Sequence, residues 1–181
     1  MPTFPIPFAV FGYGTAALTY GLYLLCGFPK ARNEEEQVKI KRGLIANGFA
    51  FGGIAQFTAG LMLFAFYNDI VDATTAAVFG VLWTAIWLNE YFDADPRTLT
   101  FLDIAIIVYT TFAGSWALML GHSVVAFLLW SITALNVSLV FTHSMGRATR
   151  LSGALALENA AVAYYLTIAI VYTQLGHPLP F

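Results

Sequence analysis

Six long apolar segments dominate this chain, and every basic residue lies in an alternate loop between them. The segments cover about residues 8–26, 43–67, 73–91, 102–120, 123–141 and 152–172. Each is close to the ~20 residues that a helix needs to cross a ~30 Å hydrocarbon core. The eight basic residues fall only in the first, third and fifth loops: Lys30, Arg32, Lys39, Lys41, Arg42, Arg97, Arg147 and Arg150. If the segments span a bilayer, these three loops emerge on one side of it.

The composition agrees with an all-α integral membrane protein built as one six-helix bundle over residues 1–181. Hydrophobic residues make up 59% of the chain and charged residues only 10%, whereas a soluble domain has roughly 25% charged residues. Backbone groups in lipid must be paired within the segment, and the runs are continuously apolar without the alternation of a membrane barrel. The sequence therefore predicts six spanning helices.

The loop charges also predict an orientation. Lys and Arg in short loops near the ends of spans favour the cytoplasmic side of a membrane. We therefore expect an inner-membrane protein whose first, third and fifth loops lie in the cytoplasm and whose two termini both lie outside it.

Several function classes are disfavoured by the residues present. A net charge of −2 provides no electrostatic footprint for nucleic acid. His122, His143 and His177 form no i,i+4 pair and have no thiolate or carboxylate cluster beside them, so we expect no metal, haem or other cofactor. Since no nucleophile elbow or phosphate-binding loop occurs either, we do not expect an enzyme. The single cysteine, Cys26, is expected to be a buried apolar side chain at a helix end.

Four polar residues inside the apolar segments are candidates for a substrate or proton pathway: Gln56, Asn136, Glu158 and Asn159. Polar groups within spans are costly and usually face the bundle interior or a water-filled cavity. No Lys or Arg lies inside any segment to pair with Glu158. We therefore expect that carboxyl to be protonated or reached by water, and to exchange protons on the cytoplasmic side.

Features at the ends of the segments predict ordinary structural roles. Residues 27–42 are highly charged and favour a short surface helix before the second span. Asp103 is expected to complement a helix N-terminus, and Glu90 to be an interfacial carboxylate. Gly52 with Gly53 is expected to loosen the second helix, and Gly121 to form a tight turn between the fourth and fifth spans.

Two stretches resemble the acetate uptake transporter family, of the succinate–acetate permease type. Residues Phe4-Pro-Ile-Pro-Phe-Ala-Val-Phe-Gly-Tyr-Gly14 are similar to its Asn-Pro-Ala-Pro-Leu-Gly-Leu-x-Gly-Phe-Gly signature. Residues Phe51-Gly-Gly-Ile-Ala-Gln-Phe-Thr-Ala-Gly60 are similar to its aromatic-Gly-Gly-Ile-Ala-Gln-x-x-Ala-Gly. The resemblance covers most spans in order, and the stretch in the second span is the specific part.

This resemblance implies a homohexamer in which each six-helix protomer carries its own pore for small monocarboxylates such as acetate. The family narrows that pore with aromatic and aliphatic side chains, and the matching positions here are Tyr13, Phe79 and Ile132. Gln56 is then expected beside the constriction. The implied partners are a small solute, membrane lipid and further copies of the chain.

Two alternatives stay open. The loop charges and the acidic residue in the sixth span look more like the related amide and urea channel family, which makes urea or a short-chain amide the alternative solute. A non-transporting structural subunit of a larger membrane complex is the other, since the spans contain few charged residues.

Overall fold

A computed structural model describes residues 5–179, and among these residues the secondary structure is entirely helical. Phe4 of the signature stretch lies outside the described residues. The helices are α1 (Pro5–Cys26), α2 (Glu34–Tyr67), α3 (Ile70–Tyr91), α4 (Thr100–Met119), α5 (Ser123–Met145) and α6 (Thr149–Gln174). All six are long and apolar enough to cross a membrane, which confirms the predicted six-span organisation of the described part.

Helix α2 differs from its predicted bounds because it begins in the first basic loop instead of at residue 43. The expected short surface helix and the second span are one continuous helix of 34 residues. Asn33 caps its N-terminus, where the side chain accepts a hydrogen bond from the Glu36 backbone N–H. Residues 34–42 contain neither Gly nor Pro, so nothing in that stretch ends the helix before the membrane.

The middle of α2 is a π-helical stretch, Gly48–Ile54, flanked by α-helix on both sides. Its glycines bring the backbone against the indole rings of α3. A Cβ atom on Gly48 would lie 1.7 Å from Trp87 Cε2, and one on Gly52 would lie 2.6 Å from Trp83 Cγ. The expected loosening of α2 around Gly52 and Gly53 is therefore confirmed, and as a result two tryptophan rings of α3 pack directly against the α2 backbone.

The helices pack mainly with their neighbours along the chain, and α1 also packs closely on α6. Helices α4 and α5 form the predicted hairpin, in which the turn residue Gly121 has φ +86°. Asp69 caps α3 by accepting a hydrogen bond from Asp72 N–H. A 3₁₀ turn, Pro96–Leu99, leads into α4, and Asp95 caps it by accepting a hydrogen bond from the Arg97 N–H. The Arg97 side chain also lowers the pKa of exposed Asp95 to about 2.

The outer faces of the bundle are strongly apolar. Helix α4 is the most exposed span, and large side chains such as Phe101, Phe112 and Trp116 project from it. Because apolar surface of this extent is unfavourable in water, these faces suit contact with lipid or with other membrane helices. Several polar side chains, such as Asn136, are instead buried inside the bundle. Cys26 is exposed at the end of α1, so the expectation that it is buried is wrong.

Candidate functional site

The interior at mid-span contains the three residues predicted to narrow a pore. Tyr13 of α1 and Phe79 of α3 are in contact, with ring centroids 5.4 Å apart and an interplanar angle of 55°. Ile132 of α5 is fully buried and belongs to the same continuous hydrophobic cluster. The structure thus gathers all three positions inside the bundle, while their role as a constriction stays a prediction.

A chain of hydrogen bonds joins Tyr13 to the acidic residue of α6. The Tyr13 hydroxyl donates to Asn159 Oδ1 at 2.9 Å. Asn159 Nδ2 donates to the Leu155 carbonyl at 2.8 Å and approaches Glu158 Oε2 at 3.3 Å. Asn159 is fully buried, whereas Glu158 is only partly buried and has Ser131 of α5 beside it. The predicted pathway residues Glu158 and Asn159 are therefore part of the same polar chain as Tyr13.

Gln56 and Asn136, the other two predicted pathway residues, are both 1% exposed. Asn136 Nδ2 donates to the Ile132 carbonyl at 2.9 Å. Within residues 5–179, Gln56 Oε1, Asn136 Oδ1 and Glu158 Oε1 are buried acceptors without a protein hydrogen-bond partner. A buried polar atom left unpaired costs about 1–3 kcal/mol. Such acceptors therefore favour a solute or water that donates hydrogen bonds.

Five aromatic rings connect the mid-span residues to the basic-loop end of the bundle. Phe79, Trp83 and Trp87 recur every four residues on α3, and Tyr13 and Tyr20 are seven apart on α1, so each set shares one helix face. Trp83 lies 6.0 Å from both tyrosines, and Tyr20 lies 5.9 Å from Trp87, all measured between ring centroids. We call these five residues the aromatic row.

On the opposite side of Phe79, the interior contacts continue toward the loops without basic residues. Phe79 makes an edge contact with Tyr109 of α4, with ring centroids 6.4 Å apart. The Tyr109 hydroxyl lies 2.6 Å from Thr75 Oγ1 of α3. Interior contacts therefore extend from mid-span toward both ends of the bundle.

A buried carboxylate–imidazole pair at the basic-loop end was missed by the sequence analysis. His143 Nδ1 of α5 lies 2.7 Å from Asp103 Oδ2 of α4, and His143 Nε2 lies 3.3 Å from the Tyr20 hydroxyl. The Asp103 side chain is 1% exposed and the His143 side chain 5% exposed. Asp103 does lie in the first turn of α4, as expected, and its contact with His143 is an additional one that the sequence did not predict.

The sequence did contain a signal for this pair. Helices α4 and α5 form an antiparallel hairpin, in which Asp103 lies 18 residues before Gly121 and His143 lies 22 residues after it. Helices that run antiparallel from a tight turn bring such positions to within about one helical turn of each other. The sequence predicted the hairpin but not the contact between Asp103 and His143 that follows from it.

The aromatic row ends near an ion pair at the basic-loop surface. Lys41 Nζ of α2 lies 3.2 Å from Glu90 Oε2 and 3.4 Å from Asp93 Oδ1. Lys41 and Glu90 also line a cavity of about 10 Å³ together with Tyr20 and Trp87. This volume is at the lower limit for a single water molecule, and the cavity separates the end of the row from the surface ion pair.

A larger cavity of about 360 Å³ lies elsewhere, between α1, the following loop and the first turns of α2. It is lined by side chains such as Leu18, Leu22 and Phe28, and exposed Phe28 shows that it opens on the outer surface. It does not touch the aromatic row. Within the described residues, no group of three or more His, Cys, Asp or Glu side chains is placed to hold a metal ion.

Comparison with known proteins shows the fold of this arrangement. The structure of the bacterial acetate channel SatP superimposes with a TM-score of 0.81 over 100% of this chain and 99% of that chain, at 23% sequence identity. No protein-family model and no curated protein sequence matches the chain. The likeness shows that this chain shares the fold of that protein over its length.

Proposed function

We propose that this protein is a membrane channel or proton-coupled transporter for small solutes, with acetate and similar short monocarboxylates as its substrates. The observation that carries the proposal is the interior row of aromatic and unpaired polar groups, in a fold that a bacterial acetate channel shares over its full length. The two stretches that resemble the acetate uptake transporter family give further support.

The proposed constriction is formed by Tyr13, Phe79 and Ile132. A narrow passage lined by aromatic and aliphatic side chains excludes hydrated ions by dewetting, while it passes compact solutes that shed little water. The contact between the Tyr13 and Phe79 rings supports this role, because it places two bulky aromatic side chains against each other inside the bundle at mid-span.

The proposed polar lining consists of Gln56, Asn136, Glu158 and Asn159. A protonated monocarboxylic acid carries one O–H donor, and the unpaired oxygens of Gln56 and Asn136 are acceptors for it. Glu158 is a carboxyl without a basic partner among the described residues, so we propose that it exchanges a proton with the solute. Amides also donate N–H hydrogen bonds, which keeps urea and short-chain amides as the second candidate substrates.

The proposed assembly is a homohexamer in the inner membrane with the basic loops in the cytoplasm. The exposed apolar faces support burial in lipid or against other copies, and the basic loops support the orientation. Purification of a homomeric ring would agree with a pore in each protomer, whereas purification only with unlike subunits would favour the structural-subunit alternative.

The direct test is solute flux into proteoliposomes that contain the purified protein. Acetate, acetamide and urea are compared with protein-free liposomes of the same lipid. We expect acetate to enter faster than in the protein-free control. Faster entry of acetamide and urea but not acetate would favour the amide channel, and no acceleration of any of the three would disprove a channel.

A further inference from the structure

The buried pair Asp103–His143 has properties that packing does not require. Its two side chains come from α4 and α5, and the Tyr20 hydroxyl from α1 approaches the free ring nitrogen of His143 at 3.3 Å. Tyr20 in turn contacts both tryptophans of the aromatic row. The pair is therefore connected to the proposed solute pathway through a single side chain.

The partner of this buried carboxylate is an imidazole, not a permanently charged side chain. A Lys or Arg partner would cancel the charge of Asp103 at every physiological pH, whereas imidazoles in general gain or lose their charge between about pH 5 and pH 8. Because the two groups are in contact at 2.7 Å, a proton taken up by either one changes the net charge of the pair. The net charge of the pair changes from −1 to 0 when it takes up one proton.

Atoms of the pair and of its neighbour Thr100 are also unpaired and can bind a proton or a water molecule. Asp103 Oδ1 and Thr100 Oγ1 lie one turn apart on α4, and both are buried without a hydrogen-bond partner within residues 5–179. Asp103 thus has one oxygen fixed by His143 and the other available. A buried carboxylate with one unpaired oxygen is typical of functional rather than purely structural sites.

Other titratable groups around Tyr20 leave this charge uncancelled. Tyr23 lies on α1, and Glu90 of α3 is paired with Lys41 of α2, so that the two charges offset each other. Helix α6 offers the hydroxyl of Ser152, which bonds to Ser138 and Thr142 of α5 instead of to the pair.

We propose that Asp103 and His143 form a proton-binding charge gate for carboxylate solutes, a site that deepens the proposed function and rests on it. When the pair is deprotonated, its charge of −1 repels an anionic carboxylate at the basic-loop end of the aromatic row. One proton from the solvent binds to His143, gives an imidazolium–carboxylate pair of zero net charge and removes the repulsion. A neutral solute of the same shape is indifferent to either state.

The test compares acetate with acetamide, its neutral isostere, in proteoliposomes containing wild type or Asp103→Asn. At about pH 8, where an ordinary imidazole is neutral, we expect Asp103→Asn to raise the acetate-to-acetamide flux ratio on the order of tenfold. In wild type the ratio should also rise between about pH 8 and about pH 5, because the pair then loses its net negative charge. Acetamide flux should not differ between the two proteins at either pH, and this flux also reports that the variant is folded.

Two further variants keep the test decisive. His143→Lys is expected to raise the same ratio at about pH 8, because an ammonium stays charged to higher pH than an imidazole. It replaces Asp103→Asn if the latter fails to fold. Asp95→Asn makes the same chemical change in an exposed carboxylate of a basic loop and should leave the ratio at the wild-type value.

The outcomes separate this inference from the proposed function. An unchanged flux ratio at about pH 8 in Asp103→Asn, with wild-type acetamide flux, would overturn the charge gate and leave the channel standing. An equal rise in Asp95→Asn would also overturn it, since the effect would then belong to surface charge in general. Wild-type protein that passes neither solute would disprove the channel itself.

Discussion

The mid-span region and the basic-loop end of this bundle handle buried polarity in different ways. At mid-span, the buried groups are mostly neutral: the Tyr13 hydroxyl and the amides of Gln56, Asn136 and Asn159. At the basic-loop end, a carboxylate and an imidazole are buried together. Neutral amides hold the same charge at every pH, whereas we propose that the Asp103–His143 pair does not. We therefore propose that the mid-span region selects the solute and that the basic-loop end responds to pH.

The aromatic row joins these two regions, and the glycines of α2 let its tryptophan rings pack against the α2 backbone. A substitution that displaces one of these rings should produce the largest effect on the molecule. In Gly48→Ala, the new Cβ would lie 1.7 Å from Trp87 Cε2 and displace the indole. Overpacking of this kind costs about 1–3 kcal/mol. We expect the free energy of unfolding in detergent to fall by about that amount and acetate flux to fall with it.

Gly43→Ala is the matched control, since a Cβ at Gly43 meets nothing within 4 Å. Replacing Gly by Ala in an exposed helix interior stabilises by up to about 1 kcal/mol. If Gly43→Ala and Gly48→Ala had equal free energies of unfolding, the close packing of Trp87 against Gly48 would be contradicted.

The proposed constriction at mid-span should respond next most strongly. In Phe79→Ala, the ring that meets Tyr13 is removed, so the passage widens and the barrier to solute entry falls. A barrier lower by about 1.4 kcal/mol raises flux about tenfold. We expect faster entry of acetate and acetamide alike in a stopped-flow liposome assay. Phe101→Ala, which truncates a ring that is 80% exposed on the outer face, should leave both rates unchanged.

Glu158 tests whether mid-span also contributes to the pH response. Glu158→Gln removes the exchangeable proton while keeping the size of the side chain. We expect the rise of acetate flux on acidification to shrink a few-fold, because general acid–base groups act through their protonation state. Unlike Asp103→Asn, it should not raise acetate flux at about pH 8. An unchanged pH profile in Glu158→Gln would give the carboxyl a structural role.

The smallest effect is expected at the surface ion pair of Lys41. Exposed pairs are worth about 0–1 kcal/mol, and their influence is screened by salt. Lys41→Gln should lower acetate flux about two- to fivefold at low ionic strength and leave acetamide flux unchanged. The difference should vanish near about 1 M salt. A deficit that persisted in high salt would show that Lys41 acts through packing.

Much of this fold could be predicted from the sequence because lipid restricts the choices. Apolar length predicted all six spans, and Gly121 predicted the tight hairpin between α4 and α5. The mid-span polar residues were found for the same reason, since an amide inside an apolar run stands out. Tyr13 and Phe79 came from the family resemblance, and the structure places their rings in contact.

The Asp103–His143 pair was missed because each residue looks ordinary in its own segment. Asp103 lies in the first turn of α4, where an acidic side chain usually complements the helix dipole. His143 lies in the last turn of α5, where a basic group is equally common. A buried carboxylate–imidazole pair differs from two helix caps only in how deeply the side chains are buried and in how the two helices are aligned. Both are tertiary properties.

The continuity of α2 has a mechanical consequence. Its 34 residues extend about 51 Å at about 1.5 Å per residue, well beyond a ~30 Å hydrocarbon core. Its charged first turns therefore extend into the aqueous phase as an ordered helix and not as a flexible loop. A probe attached at exposed Val38 would therefore report, from outside the bilayer, the tilt of the part of α2 that precedes its π-helical stretch.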